Sequence, residues 1–236
     1  MEIIREGGFT MDRKLKITIL YLFLILFTAA PQAQALLYEG SLTGAGGGIT
    51  ATDGWDSPST MFSWSISDVG VQNGDILWQY NYLFEVPRKD ISHMIIEVSP
   101  EASDNEFAIL SGSSAGVQVY GEEGNSNPNI PENMWGIKFE EGSLVLAASF
   151  QTTRAPVWGD FYAKDGVDDG INVTAWNTGF TAGDIDPLDP PANGSLSYHI
   201  LRPDTQQVQV PEPSTMLLFG LGIIGLAGAR KRLEEK

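Results

Sequence analysis

Trp78-Gln79-Tyr80-Asn81-Tyr82-Leu83-Phe84-Glu85-Val86 alternates without a break. Large apolar side chains stand at Trp78, Tyr80, Tyr82, Phe84 and Val86, and a mixed set (Gln79, Asn81, Leu83, Glu85) lies between them. Successive side chains of an extended strand point to opposite faces. The segment therefore reads as a long strand with one face in a core. A helix would scatter the same five residues around its circumference.

The same period of two recurs on either side. Phe62, Trp64 and Ile66 alternate with serines; Met94, Ile96 and Val98 follow; then come Ile137 with Phe139, Leu144-Leu146-Ala148-Phe150, and Leu196-Tyr198-Ile200. No helical periodicity persists for a dozen residues. Turn clusters separate the runs: Gly44 to Gly48, Asn73-Gly74-Asp75, Gly121 to Pro131, and Asp184 to Gly194. Glycine and asparagine supply positive φ there, and proline ends strands. About ten short strands with such punctuation predict an all-β body, an antiparallel β-sandwich or jelly roll, in one domain over residues 36–205.

The chain has 236 residues, a net charge of −16 and no cysteine. Disulfides, thiolate metal sites and a Cys nucleophile are thereby excluded. Within residues 36–209, 24 acidic residues face 6 basic ones. A surface of that sign repels nucleic acid and anionic lipid, so neither nucleic acid nor an anionic lipid surface is expected as a partner of the body. The length still allows one sizeable core without covalent staples.

Both ends differ from the body. Arg13, Lys14 and Lys16 precede an apolar run from Ile17 to Ala30, and Ala33-Gln34-Ala35 follows Pro31. This order is that of a secretion signal, with Ala33 and Ala35 at the −3 and −1 positions of the cleavage site. Residues 1–35 are thus expected to be a signal peptide, with Met11 as the true start and Leu36 as the first mature residue. The apolar run is shorter than the roughly 20 residues of a spanning helix.

At the other end, Val210-Pro211-Glu212-Pro213-Ser214-Thr215 leads into an uncharged apolar segment, Met216 to Ala229, closed by Arg230-Lys231-Arg232. The prolines hold the first part extended. From Pro213 to Ala229 the segment approaches membrane thickness, and the basic cap stays on the cytoplasmic side. Gly220, Gly222 and Gly225 match G-x-G-x-x-G, but no strand and no βαβ unit surround them; they suit close helix approach in a bilayer.

This tripartite end resembles the PEP-CTERM sorting signal of Gram-negative bacteria. The resemblance covers residues 210–236 and departs from the family pattern in the acidic pair Glu234-Glu235 beyond the basic cap. It implies that an exosortase, a membrane-embedded cysteine transpeptidase or protease, recognises Val210, Pro211, Glu212, Pro213 and Ser214. Arg230, Lys231 and Arg232 would be the stop. It further implies an inner-membrane intermediate held by a C-terminal helix over residues 213–229 of a tail spanning 206–236. Delivery to the cell surface or into an exopolysaccharide matrix follows.

The body's residues bear on three chemistries. Asp165, Asp168, Asp169 and Asn172 gather hard oxygen donors in a glycine-rich segment, a candidate Ca²⁺ loop; Asp184, Asp186 and Asp189 form a second aspartate cluster. Neither has EF-hand spacing, and solvated turn aspartates are the competing reading. Trp55, Trp158 and Trp176 adjoin turn residues, where an exposed ring could stack on a sugar, against the alternative of core or rim packing. Trp64, Trp78 and Trp135 belong to strand patterns and read as core. No carboxylate pair stands out for glycoside hydrolysis, and no G-x-S-x-G elbow serves His93 or His199. The expectation is a non-catalytic, structural or adhesive exported protein needing no cofactor. A secreted carbohydrate-binding or carbohydrate-active protein on the same scaffold is the alternative.

Overall fold

The computed structural model describes residues 36–123, 126–183 and 185–204. The signal segment with Ala33 and Ala35, Asp184, and the tail from 205 onward with its apolar segment lie outside the described residues. Among the described residues, no helix is long and apolar enough to cross a membrane.

The strands run in chain order as β1 (Leu37–Thr43), β2 (Ile49–Ala51), β3 (Met61–Gln72), β4 (Asp75–Glu85), β5 (Ile91–Glu97), β6 (Ala108–Ser111), β7 (Ser113–Tyr120), β8 (Met134–Ser143), β9 (Val145–Thr152), β10 (Ala155–Gly159), β11 (Phe161–Asp168), β12 (Ile171–Asn177) and β13 (Ile200–Asp204). Two single-turn 3-10 helices, Asp53–Trp55 and Asp104–Glu106, interrupt them. All the strand pairs are antiparallel. The all-β, antiparallel expectation holds.

One sheet has the order β1-β3-β4-β9-β6, a second β2-β12-β11-β5-β8-β7, and β10 pairs with β13 alone. Tight turns set two of the registers. Asn73-Gly74 joins β3 to β4, and Asp169-Gly170 joins β11 to β12; all four residues have positive φ. That is the mirror-image turn whose twist matches a hairpin, and Asn-Gly and Asp-Gly adopt it readily.

The alternating face of β4 is buried as its sequence requires. Tyr80, Tyr82 and Phe84 are paired across the ladder with Ile66, Trp64 and Phe62 of β3 and with Phe150, Ala148 and Leu146 of β9, while the buried Trp78 stands opposite Asp68 and Thr152. This layer meets the six-stranded sheet directly. Phe62 stacks on Phe161 with ring centroids 4.0 Å apart, and Phe139 stacks on Phe150 at 6.0 Å. The opposite face of the five-stranded sheet carries a polar ladder: Ser149 donates to Asn81 (2.7 Å) and Gln151 to Gln79 (3.1 Å).

The six-stranded sheet is covered on its second face as well. Ile95, Tyr120, Ile130, Met134, Tyr162 and Phe180 form a separate apolar cluster there. This is why Met94-Ile95-Ile96 is apolar at three successive positions and departs from strict alternation.

The Leu196-Tyr198-Ile200 expectation fails in part. Ser197 and Tyr198 have φ of 50° and 65°, Tyr198 is exposed, and the strand begins only at Ile200. A left-handed pair of residues cannot continue a pleat, so the apparent alternation there is coincidental.

Candidate functional site

Where the lone β10–β13 pair meets the end of β5, charged side chains have been drawn inside. Arg202 on β13 is the centre. Its Nη2 lies 3.1 Å from Glu97 at the end of β5 and 2.7 Å from Asp186 in the β12–β13 connection. Its Nη1 pairs with Asp204. Gly159 makes the room: a Cβ there would overlap Arg202 Nε and Glu97 Oε2. Two buried tyrosines fasten the pair to the five-stranded sheet. Tyr82 Oη donates to the Leu201 carbonyl (2.9 Å), and Tyr80 Oη donates to that of Arg154 (2.8 Å).

Beside Arg202, His199 Nδ1 lies 3.0 Å from Asp160 Oδ1 and 3.8 Å from Asp186 Oδ1. Asp160 is fixed in turn. Asn177 Nδ2 donates to its Oδ1 (2.5 Å), and its own amide donates to Glu97 Oε2 (2.9 Å). Asp160 and His199 are buried; Asp186 is half-buried.

Four carboxylates therefore crowd one guanidinium and one imidazole. Burial pushes the Glu97 carboxyl up; Arg202 opposes the shift, and Asp186 and Asp160 add to it. Asp186 is raised in the same way, by burial first, with Arg202 opposing and Asp160 adding. Negative charge in excess of its partners favours the uptake of a proton or a cation.

The sequence singled out only part of this cluster. Asp186 belonged to the second aspartate group, and His199 was one of two histidines. Glu97, Asp160, Asn177 and Arg202 were not marked. They come from three strands and the β10–β11 junction, and no spacing in one dimension announces such a meeting. The one available signal is that Arg202 is among just six basic residues of the body.

The three candidate sugar-stacking tryptophans fare differently. Trp55 is fully buried, edge-on to Phe84 at 5.4 Å, with Nε1 donating to the Lys89 carbonyl (3.0 Å). Trp158 is also buried, within the main core. Both are corrections: an adjoining turn exposes backbone, yet these rings turn inward. Trp176 is half-buried against the second apolar cluster. Trp64 and Trp78 are core as expected, while Trp135 is half-buried and donates to the Ala102 carbonyl (3.2 Å).

The Ca²⁺ segment proves to be the β11–β12 hairpin. Asp168 pairs with Lys89 at 3.0 Å, and Asp169 occupies the exposed turn. Asp165 stands at a bulge of β11, and the Asn172 carbonyl accepts the Thr52 hydroxyl (2.6 Å). Among the described residues, the group of His and acidic side chains whose ligand atoms converge is Asp160, Asp186 and His199. Asp165, Asp168 and Asp169 are not part of it.

No catalytic triad forms around either histidine among the described residues. Ser195 Oγ donates to the His199 backbone carbonyl and not to its ring. His93 is buried with Nε2 2.9 Å from Asn127 Oδ1.

No curated protein and no solved structure matches the chain. Residues 209–232 match the family model of the PEP-CTERM protein-sorting motif. That interval contains the Pro211-Glu212-Pro213 box, the apolar run and the basic cap. The chain thus carries a PEP-CTERM sorting motif at residues 209–232, the mark of an exported protein that is anchored transiently in the membrane and processed by an exosortase.

Proposed function

We propose that this protein is a non-catalytic component of the cell surface or of an exopolysaccharide matrix in a Gram-negative bacterium, delivered there by its sorting tail. The observation that carries the reading is the motif match at residues 209–232. In this reading the signal peptide is cut after Ala35. Val210, Pro211, Glu212, Pro213 and Ser214 are presented to the exosortase, residues 213–229 hold the inner membrane, and Arg230, Lys231 and Arg232 stop transfer.

The body, read as a β-sandwich, serves a structural or adhesive role outside. Its polar outer sheet face supports that role: the side chains of Asn81, Ser149, Gln79 and Gln151 form a hydroxyl and amide ladder there, with Glu39 and Glu85 on the same face. Such a face offers hydrogen-bonding groups to a hydrated polymer. The carbohydrate-active alternative draws little support, because Trp55 and Trp158 are packed in the core.

The test is the intact mass of the mature protein from its native host, with and without the exosortase. Loss of the residues beyond the Pro-Glu-Pro box, dependent on that enzyme, is the expected result. A full-length tail in both strains would reduce the C-terminal segment to a plain anchor and remove the basis of the matrix role.

A further inference from the structure

Asp160, Asp186 and His199 come from the β10–β11 junction, the β12–β13 connection and the residue before β13. They offer ligand atoms that all lie within 4.8 Å of one another. Two ligands each about 2.1 Å from a tetrahedral ion stand roughly 3.4 Å apart. The distances from His199 Nδ1, 3.0 Å to Asp160 Oδ1 and 3.8 Å to Asp186 Oδ1, bracket that value.

Both carboxylates are fixed by neighbours, as metal ligands are. Asn177 Nδ2 donates to Asp160 Oδ1, the oxygen that faces His199, and Arg202 Nη2 takes Asp186 Oδ2, which leaves Asp186 Oδ1 turned to the histidine. Asp186 is the reachable member of the three, and Asp160 and His199 are buried behind it. A cavity of about 180 Å³, lined in part by Trp158, Asp186, Arg202 and Asp204, adjoins Asp186.

We propose that Asp160, Asp186 and His199 form a binding site for one divalent transition metal ion, with Zn²⁺ or Mn²⁺ as the fitting class. An imidazole nitrogen with two carboxylate oxygens suits ions of intermediate softness, whereas Ca²⁺ and Mg²⁺ take all-oxygen shells. Two further observations favour a cation here. Glu97, Asp160, Asp186 and Asp204 surround Arg202 and His199, so an ion bound here sits among carboxylates. The ligands also tie the long β12–β13 connection to the ends of two strands, so the ion acts as a clamp on that connection. A body without disulfides gains a crosslink in this way. The site is independent of the sorting reading, and its failure would leave that reading untouched.

The test uses the untagged full chain in detergent, stripped with EDTA and then dialysed against Zn²⁺ or Mn²⁺ at micromolar concentration. Elemental analysis should find one ion per chain, with the melting temperature several degrees higher. Asp186→Asn keeps the fold, because Asp186 sits at the half-exposed side of the cluster, and weakens binding at least tenfold; His199→Gln abolishes it. An unchanged melting temperature with no ion retained, or an equal shift from Ca²⁺ or Mg²⁺, would overturn the proposal. Unaltered metal binding by Asp186→Asn would overturn it too.

Discussion

Asp104 Oδ1 accepts the Val117 amide at 2.6 Å, on the open margin of the six-stranded sheet. β7 is the outermost strand there, and its sequence, Ser-Ser-Ala-Gly-Val-Gln-Val-Tyr, carries no charge. Unpaired amides along an uncharged edge invite another chain to add a strand. The 3-10 turn Asp104–Glu106 places a carboxylate over that edge, and a capping box between Ser103 and Glu106 holds the turn in position. β1, the margin of the other sheet, is covered in a parallel way: Asn193 Oδ1 accepts the Glu39 amide and the Gly194 amide donates to the Glu39 carbonyl.

Asp104→Ala is therefore expected to promote concentration-dependent association with little loss of melting temperature. Asp104→Asn keeps an oxygen acceptor and should behave as wild type. Light scattering of the three proteins in the same detergent checks this. An Ala variant no more associated than wild type would show that the edge is guarded by something other than this bond.

The Phe62–Phe161 stack joins the two main sheets, with centroids 4.0 Å apart and planes 17° from parallel. Phe161 also meets Phe84 at 5.7 Å and has no exposed surface. Phe161→Ala should cost about 3–5 kcal/mol, the usual range for emptying a buried phenylalanine site. Phe161→Leu should cost distinctly less. Denaturant midpoints at a constant slope measure both. A loss below about 1 kcal/mol for the alanine variant would mean that the sheets close the gap.

What the sequence made legible was the part governed by a period. Trp78, Tyr80, Tyr82 and Phe84 had to share a face because a strand offers no other geometry, and they do. Asn73-Gly74 announced a hairpin because few other pairs take positive φ twice. Trp55 and Trp158 stayed open between a stacking ring and the core, because a neighbouring turn constrains backbone and not the direction of a ring. The Arg202 cluster stayed hidden for a different reason. Glu97, Asp160, Asn177, Asp186 and His199 converge only after the six-stranded sheet meets the β10–β13 pair, and each alone reads as an ordinary surface residue.

His93 makes stability depend on pH. It is buried and its pKa is lowered to about 4, first by burial, then by the positive charge of Lys138, with the Asn127 hydrogen bond opposing. The unfolded chain binds this proton near pH 6.5, whereas the folded one does not until about pH 4. The contribution is therefore fully present above pH 6.5 and is lost as the pH falls toward 4. It amounts to about 3 kcal/mol at most. His93→Gln removes the titration, so the stability difference between wild type and variant should shrink or reverse on acidification across that window. A difference constant from pH 7 to 4 would show that His93 takes up its proton within the fold.

Gly159 is predicted to tolerate a methyl group poorly. Its conformation is ordinary, so the demand is for space alone. An added Cβ would overlap Arg202 Nε and Cγ together with Glu97 Oε2, none of which can retreat without loosening the Arg202 ion pairs. Overpacking of this kind costs about 1–3 kcal/mol, and the lost pairing adds to it. Gly142 supplies the control. A Cβ there meets nothing within 4 Å, and its φ is not positive, so Gly142→Ala should be nearly neutral. Melting curves of the two variants should separate by several degrees, Gly159→Ala lower. Equal curves would mean that Arg202 has room to swing aside, and the cluster would then be a loose surface arrangement rather than a fixed one.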